Sequence, residues 1–191
     1  MAMSDVPGLV LETLKSAEAR GFKLSCEEMV GRLLAALASA VPPGGRVLEL
    51  GTGAGVGAAW LVSGLEHRSD VTVLTLERDP ELAAAAREFA WPEWVEVRVA
   101  DVEKELPELG RFDLIFADAE GGKWSGLDLT VSALQPSGVL VVDDMDLSRY
   151  PSIKHRESVT RVRDTILSDP RLVAVDLPVS SGIMVAAKRR D

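Results

Sequence analysis

The stretch VLELGTGAGVG, residues 47–57, decides the fold. An apolar run leads into a turn that contains Gly51, Gly53 and Gly55, and an apolar segment long enough for a helix follows. Glycines allow positive φ angles and let a ligand approach the backbone, and the helix that follows offers unpaired N–H groups. In a doubly wound sheet this first turn lies at the carboxyl edge, where ligands bind. The stretch therefore predicts a ligand-binding turn after the first strand of an α/β sheet.

Outside this stretch, short apolar runs alternate with helical segments. The strand-like runs are VLEL, VTVLTL, VEVRVA, FDLIFA and GVLVVD, which begin at Val47, Val71, Val95, Phe112 and Gly138. The helical segments between and after them are AGVGAAWLVSGL, PELAAAAREFA, residues 124–134 and RESVTRVRDTILS. This alternation predicts βαβ units and a mostly parallel, doubly wound sheet. Two final runs, RLVAVDL and GIMVAAK, are separated by residues 178–181 only, so we expect them to be antiparallel to each other.

Two helices precede the sheet. The first has apolar residues at helical spacing up to Gly21, where it is expected to end. Ser25 and Glu28 form an S-x-x-E pattern that predicts a capping box for the second, and residues 42–45, PPGG, end it. No linker divides the chain. We therefore expect one domain over residues 1–191, in which residues 1–45 cap the site and residues 46–191 form the α/β core.

Composition excludes several classes of protein. The chain has 191 residues, the length of one domain, and 47% of them are hydrophobic, which excludes a disordered protein. The net charge of −9 argues against a nucleic-acid binder and against attachment to an anionic membrane. The single cysteine, Cys26, excludes an internal disulfide. Since no signal peptide or long apolar stretch is present, we expect a cytoplasmic protein.

The glycine spacing bears on the ligand. A dinucleotide fingerprint requires a third glycine at position 56, which is Val56, and Glu49 precedes the turn where a pyrophosphate would be repelled. A cationic ligand without phosphate suits Glu49 better, and S-adenosylmethionine (SAM) is such a ligand. Glu77 ends the second strand, where it can accept hydrogen bonds from ribose hydroxyls, and Asp101 ends the third, near an adenine amino group. The alternative is that each acid is a solvated residue at a strand end.

Five motifs carry a resemblance to a known family. They are LSCEEMVGRLL, VLELGTGAG, FDLIFADAEGGKW, VVDDM and DLPVSSGIMVAAK, and the last resembles L-P-x-G-D-G-x-x-x-x-x-K. Over residues 24–188 the chain resembles class I SAM-dependent methyltransferases, and more narrowly the small O-methyltransferases related to catechol and caffeoyl-CoA O-methyltransferases. The resemblance implies a seven-stranded sheet of order 3-2-1-4-5-7-6 with the last strand antiparallel, a small-molecule acceptor and a possible homodimer. It implies this set of SAM-binding residues: Glu49, Gly51, Thr52, Gly53, Gly55, Glu77, Asp101, Val102, Asp118 and Trp124.

Three further acids follow the fourth and fifth strands. Asp118 ends the fourth strand, and Asp143 and Asp144 end the fifth, so their carboxylates should converge. Carboxylates at one edge repel each other unless a cation lies between them, and hard oxygen ligands suit Mg²⁺ or Ca²⁺. In the resembled family the matching positions hold a divalent metal that binds two substrate hydroxyls and favours their deprotonation. The resemblance thus predicts a metal site at Asp118, Asp143 and Asp144.

The general base is the main departure from the family. The family often has a lysine three residues after the first of these aspartates, and here that position is Gly121. Lys123 follows two residues later, either as a surface lysine or, through the Gly121–Gly122 pair, within reach of the site. We expect catalytic roles for Asp118 and Lys123.

The predicted function is transfer of the methyl group of SAM to a hydroxyl of a small molecule, with a divalent metal. Two alternatives stay open. One is a metal-independent methyltransferase that acts on nitrogen or a carboxylate, and the other is a non-catalytic SAM-binding module.

Overall fold

A seven-stranded sheet forms the centre of the molecule, as seen in a computed structural model that describes residues 6–149 and 152–190. The strands are β1 (Arg46–Leu50), β2 (Thr72–Glu77), β3 (Val95–Val99), β4 (Phe112–Ala117), β5 (Leu134–Val142), β6 (Leu172–Leu177) and β7 (Ile183–Lys188). Their order is β3-β2-β1-β4-β5-β7-β6. The first five pair in parallel, and β7 is antiparallel to both β5 and β6. The predicted fold class and strand order are confirmed.

Helices cover both faces of the sheet. They are α1 (Gly8–Ala19), α2 (Glu28–Ser39), α3 (Val56–Gly64), α4 (Pro80–Ala86), α5 (Val102–Leu109), α6 (Leu127–Ser132) and α7 (Ile153–Ser168). Because side chains alternate along a strand, Val47 packs with α1, α2 and α3, whereas Leu48 and Leu50 pack with α5, α6 and α7. Glu49 shares the face of Val47 and points toward α3. Among the described residues, no helix combines the length and apolar character that a membrane crossing requires.

Two local predictions differ from the structure. The capping box is wrong: α2 begins at Glu28 after an extended Glu27, and its start has no side-chain cap. The N-cap position belongs to Glu27, two residues after Ser25, so the Ser25 hydroxyl is too early in the chain to cap the helix. Ser25, Cys26 and Glu27 instead line the main cavity. Helix α5 lies between β3 and β4, where no helical segment was predicted, because Pro107 interrupts the helical pattern there.

Candidate active site

A cavity of about 850 Å³ opens at the carboxyl edge of the parallel strands. Residues that follow β1, β2, β3, β4 and β5 line it, and the segment before α2 closes one side. Ten of the predicted site residues contribute to its lining: Glu49, Gly51, Thr52, Gly53, Glu77, Asp101, Val102, Asp118, Asp143 and Asp144. The predicted cofactor and acceptor residues therefore share one cavity.

The glycine turn after β1 takes the backbone conformation that its sequence predicts. Gly51 and Gly53 have φ angles of 99° and 50°, in the region that favours glycine. A Cβ atom on Gly51 would lie 2.9 Å from the carbonyl oxygen of Asp118, and one on Gly53 would lie 2.9 Å from the ring of Phe22. The turn is thus closely packed on both sides, and side chains there would displace neighbouring atoms. Gly55 precedes α3 with a φ of 84° and lies outside the cavity lining.

Glu49 is a buried carboxyl group with an unused oxygen. Its Oε2 accepts a 2.5 Å hydrogen bond from the Thr75 hydroxyl, which also lies 2.6 Å from the Thr52 hydroxyl. Its Oε1 has no hydrogen-bond partner among the described residues. Burial raises the pKa of Glu49 well above its usual range, and the charges of Asp118 and Glu77 raise it further, against the hydrogen bond from Thr75. Such a group is stabilised when a cationic ligand binds beside it.

Glu77 and Asp101 are both held by backbone N–H groups. The Glu77 carboxylate accepts hydrogen bonds from Gly53 N at 2.8 Å and Asp79 N at 2.9 Å, so it fixes the glycine turn against β2. Asp101 caps α5 by accepting a hydrogen bond from Glu103 N at 3.2 Å, and it is partly exposed. Each carboxylate oxygen keeps a further lone pair for a ligand.

An acid cluster formed by Asp118, Asp143 and Asp144 lines the same cavity. Lys123 is inside it: its Nζ is 2.9 Å from Asp144 Oδ2 and 3.5 Å from Asp118 Oδ1, and its side chain is only 2% exposed. Asp143 Oδ1 accepts hydrogen bonds from the Ser181 hydroxyl and, at 2.7 Å, from Asp144 N. Burial raises the pKa of Asp118 and of Asp143, and in both cases the charge of Lys123 acts in the opposite direction.

The comparisons with known proteins agree with this geometry. Residues 48–145, just over half of the chain, match the family described as Methyltransferase domain. A relative from Mycolicibacterium smegmatis, which is named as an O-methyltransferase by inference, is 32% identical to this chain over 173 residues. The match covers 83% of this chain and 80% of that protein. The chain belongs to the SAM-dependent O-methyltransferases.

Solved structures support the fold of this O-methyltransferase. One is an O-methyltransferase from Bacillus cereus in complex with SAH (S-adenosylhomocysteine), with a TM-score of 0.83 and 23% identity over 98% of this chain and 94% of that one. Another is the O-methyltransferase TomG from Streptomyces achromogenes, in complex with SAM and involved in tomaymycin synthesis. Its TM-score is 0.81, with 21% identity over 98% of this chain and 92% of that one.

Two other predicted site residues lie outside the cavity lining. Trp124, predicted to contact the cofactor, packs its ring against His155 at 5.0 Å and under the Lys123 ammonium at 4.6 Å. Lys123 contacts Asp118 and Asp144 from behind the lining, and its burial rules out the surface alternative.

The acid cluster does not fit a shared metal ion. Among the described residues, no group of three or more His, Cys, Asp or Glu side chains is arranged to hold one. The Lys123 ammonium lies within salt-bridge distance of both Asp118 and Asp144, where a bound cation would lie. One oxygen of Asp143 is already occupied by two hydrogen-bond donors. We therefore derive no step through a metal.

Sequence reasoning missed residues that close the cavity near the acid cluster. Arg149 forms an ion pair with Glu27, and the Ser180 hydroxyl donates a hydrogen bond to the same carboxylate. These contacts lower the pKa of Glu27, chiefly through the hydrogen bond from Arg149. One signal was present in the sequence, because Ser180 and Ser181 replace the G-D pair of the resembled closing motif. Cys26, another lining residue, stays a neutral thiol because burial raises its pKa.

Proposed function

We propose that this enzyme transfers the methyl group of SAM to a hydroxyl oxygen of a small molecule bound in the same cavity. The observation that carries the proposal is the buried Glu49 carboxyl group, one oxygen of which has no partner among the described residues, in a cavity that three aspartates also line. The part of the cavity at Glu49 and the glycine turn suits a cationic cofactor and is called the cofactor end, and the part at the aspartates suits the proton of an acceptor hydroxyl and is called the acceptor end. SAM and SAH in the TomG and Bacillus cereus structures support the cofactor.

At the cofactor end, the residues act by binding and orienting. SAM supplies a methyl group already activated by its sulfonium, so the protein needs no covalent catalysis. Glu49 would accept a hydrogen bond from the ammonium group, Glu77 from the ribose hydroxyls and Asp101 from the adenine amino group. Gly51 and Gly53 would let the ligand lie directly against the backbone.

At the acceptor end, Asp118 is the residue that we expect to take the hydroxyl proton. It follows β4, its backbone packs against Gly51 of the glycine turn, and its carboxylate is a charged neighbour of Asp143 and Asp144, so it lies between the glycine turn and the other two aspartates. Burial raises the pKa of Asp118, which makes its ionised carboxylate a stronger base. The hydroxyl proton moves to Asp118 as the oxygen forms its bond to the methyl carbon, and SAH is the leaving group.

A metal-independent mechanism is favoured over a metal-assisted one for this transfer of a methyl group to oxygen. Lys123 balances part of the negative charge in the acid cluster without a metal. Membership of an enzyme family makes a non-catalytic SAM-binding module the weaker alternative.

A turnover screen tests the proposal. The enzyme is incubated with SAM and a panel of phenols, catechols, amines and carboxylic acids, and SAH is quantified. We expect SAH to form with hydroxyl acceptors and NMR to place the methyl group on oxygen. Methylation confined to amines or carboxylates, or tight SAM binding without SAH from any acceptor, would contradict it.

A further inference from the structure

Lys123 carries a buried ammonium group, which is unusual because an ammonium is rarely buried without a specific partner. Three neighbouring side chains interact with the ammonium group. Asp144 and Asp118 accept its hydrogens at 2.9 Å and 3.5 Å, and the ring of Trp124 lies 4.6 Å from Nζ, in the geometry of a cation–π contact. The ammonium is therefore an integral part of the acid cluster.

The loop of residues 120–125 holds Lys123 in place. Gly122 N donates to Ser125 O at 2.7 Å, and Trp124 N donates to Glu120 O at 2.8 Å, which closes the loop on itself. The Thr130 hydroxyl donates to Gly122 O at 2.8 Å and ties the loop to α6. Gly122 is thus a point of close packing, whereas the sequence suggested that the glycine pair is a hinge.

We propose that the Lys123 ammonium is the resident cation of the acid cluster and that the cluster binds no divalent metal. A metal ion shared by Asp118 and Asp144 would have to displace the ammonium from both carboxylates. The lysine would then be buried without a counter-ion, which is strongly unfavourable. The Ser181 hydroxyl and Asp144 N already bind one oxygen of Asp143, so this carboxylate offers little compensation.

This inference deepens the proposed function and rests on it for the nature of the acceptor. Without a metal to chelate, an acceptor needs no pair of adjacent hydroxyls. A single hydroxyl that reaches the Asp118 carboxylate is sufficient. The substrate class then includes small molecules that carry one isolated phenolic hydroxyl.

Binding of Mn²⁺ alone tests the inference without any acceptor. Free Mn²⁺ is measured by EPR as it is titrated into the full chain, into Lys123→Met, and into the double variant Lys123→Met with Asp144→Ala. We expect the native chain to show no site at the cluster below about 1 mM, and Lys123→Met to bind at least about tenfold more tightly because Asp118 and Asp144 lose their counter-ion. The double variant should lose this gain. Lys104→Met is the matched control, because Lys104 lines the same cavity away from the cluster, and it should leave Mn²⁺ binding unchanged.

Two results would overturn the inference. One is micromolar Mn²⁺ binding by the native chain that is lost in Asp144→Ala, and the other is a folded Lys123→Met variant with no gain in affinity. Binding that persists in Asp144→Ala lies elsewhere on this acidic protein and supports the inference. If Lys123→Met does not fold, the native chain and Asp144→Ala decide the question by themselves. Absence of SAH in the turnover screen would refute the proposed function and leave the Mn²⁺ result standing.

Discussion

Replacement of Glu49 by glutamine should weaken SAM binding while leaving the free protein at least as stable near neutral pH. Glutamine has nearly the same shape, and its amide oxygen can keep the hydrogen bond from the Thr75 hydroxyl. What it removes is the negative charge at the buried oxygen that has no partner among the described residues. A hydrogen bond between charged groups contributes about 1.5–3 kcal/mol, so the Kd for SAM should rise by roughly 10- to 150-fold.

The pH dependence of stability gives a second, independent expectation. Burial raises the pKa of Glu49 in the folded protein above its value in the unfolded chain. The native protein therefore has its full stability from this group below the unfolded pKa and loses it as the pH rises through the folded pKa. Glutamine does not titrate, so Glu49→Gln does not lose this stability. The difference in free energy of unfolding between Glu49→Gln and the native protein should therefore grow in favour of the variant as the pH rises, by at most about 1.4 kcal/mol per pH unit.

Calorimetry with SAM and urea unfolding, both between about pH 5 and pH 8.5, measure these effects. The affinity of the native protein for SAM should increase with pH as Glu49 ionises, whereas that of Glu49→Gln should be flat. Glu88→Gln is the control, since Glu88 is an exposed carboxylate in a surface ion pair. Native-like SAM affinity in Glu49→Gln, or parallel pH profiles of the two proteins, would refute the reasoning.

Four further substitutions test the glycine turn, the Glu77 carboxylate and the loop that holds the lysine. Gly53→Val should abolish SAM binding in calorimetry and strain the turn by about 1–2 kcal/mol, because φ is 50° and the new Cβ would lie 2.9 Å from the Phe22 ring; normal binding would place the ligand elsewhere. Glu77→Ala should weaken SAM binding by about 1.5–3 kcal/mol, and an unchanged Kd would remove this residue from the ribose role. Gly122→Ala should lower the free energy of unfolding in urea by about 2–5 kcal/mol, since φ is 81° and a Cβ would lie 2.6 Å from a core leucine. The neighbouring Gly121→Ala, with no Cβ contact under 3.5 Å, should be tolerated, and equal losses in the two would contradict the packing argument.

The sheet could be predicted because its signals are local. Each strand is a short apolar run, and the glycine turn after β1 has a spacing that specifies its backbone. The strand order came from the family resemblance, since periodicity alone gives strands and helices without their order. Helix α5 was missed for a local reason as well: it has only two buried residues, Val102 and Leu106, and contains Pro107.

The acceptor side was harder to predict because its contacts join distant parts of the chain. Arg149 pairs with Glu27 across 122 residues, and neither residue carries a local signal of that contact. Lys123 resembles a surface lysine in sequence, since its burial depends on how residues 120–125 close over β1 and α6. The carboxylates of the cluster were correctly predicted to share one edge of the sheet. The cation among them was expected to be a metal, and in the structure it is a side chain.

Product analysis in the presence of EDTA tests the central claim most directly. The enzyme is incubated with SAM, a phenolic acceptor that the turnover screen has identified, and excess EDTA, and both SAH and the methylated product are quantified by mass spectrometry. We predict SAH and an O-methyl ether in equal amounts, at a rate that Mg²⁺ in place of EDTA leaves unchanged. Formation of both products only after Mg²⁺ is added back would contradict an O-methyl transfer carried out by the residues of this chain alone.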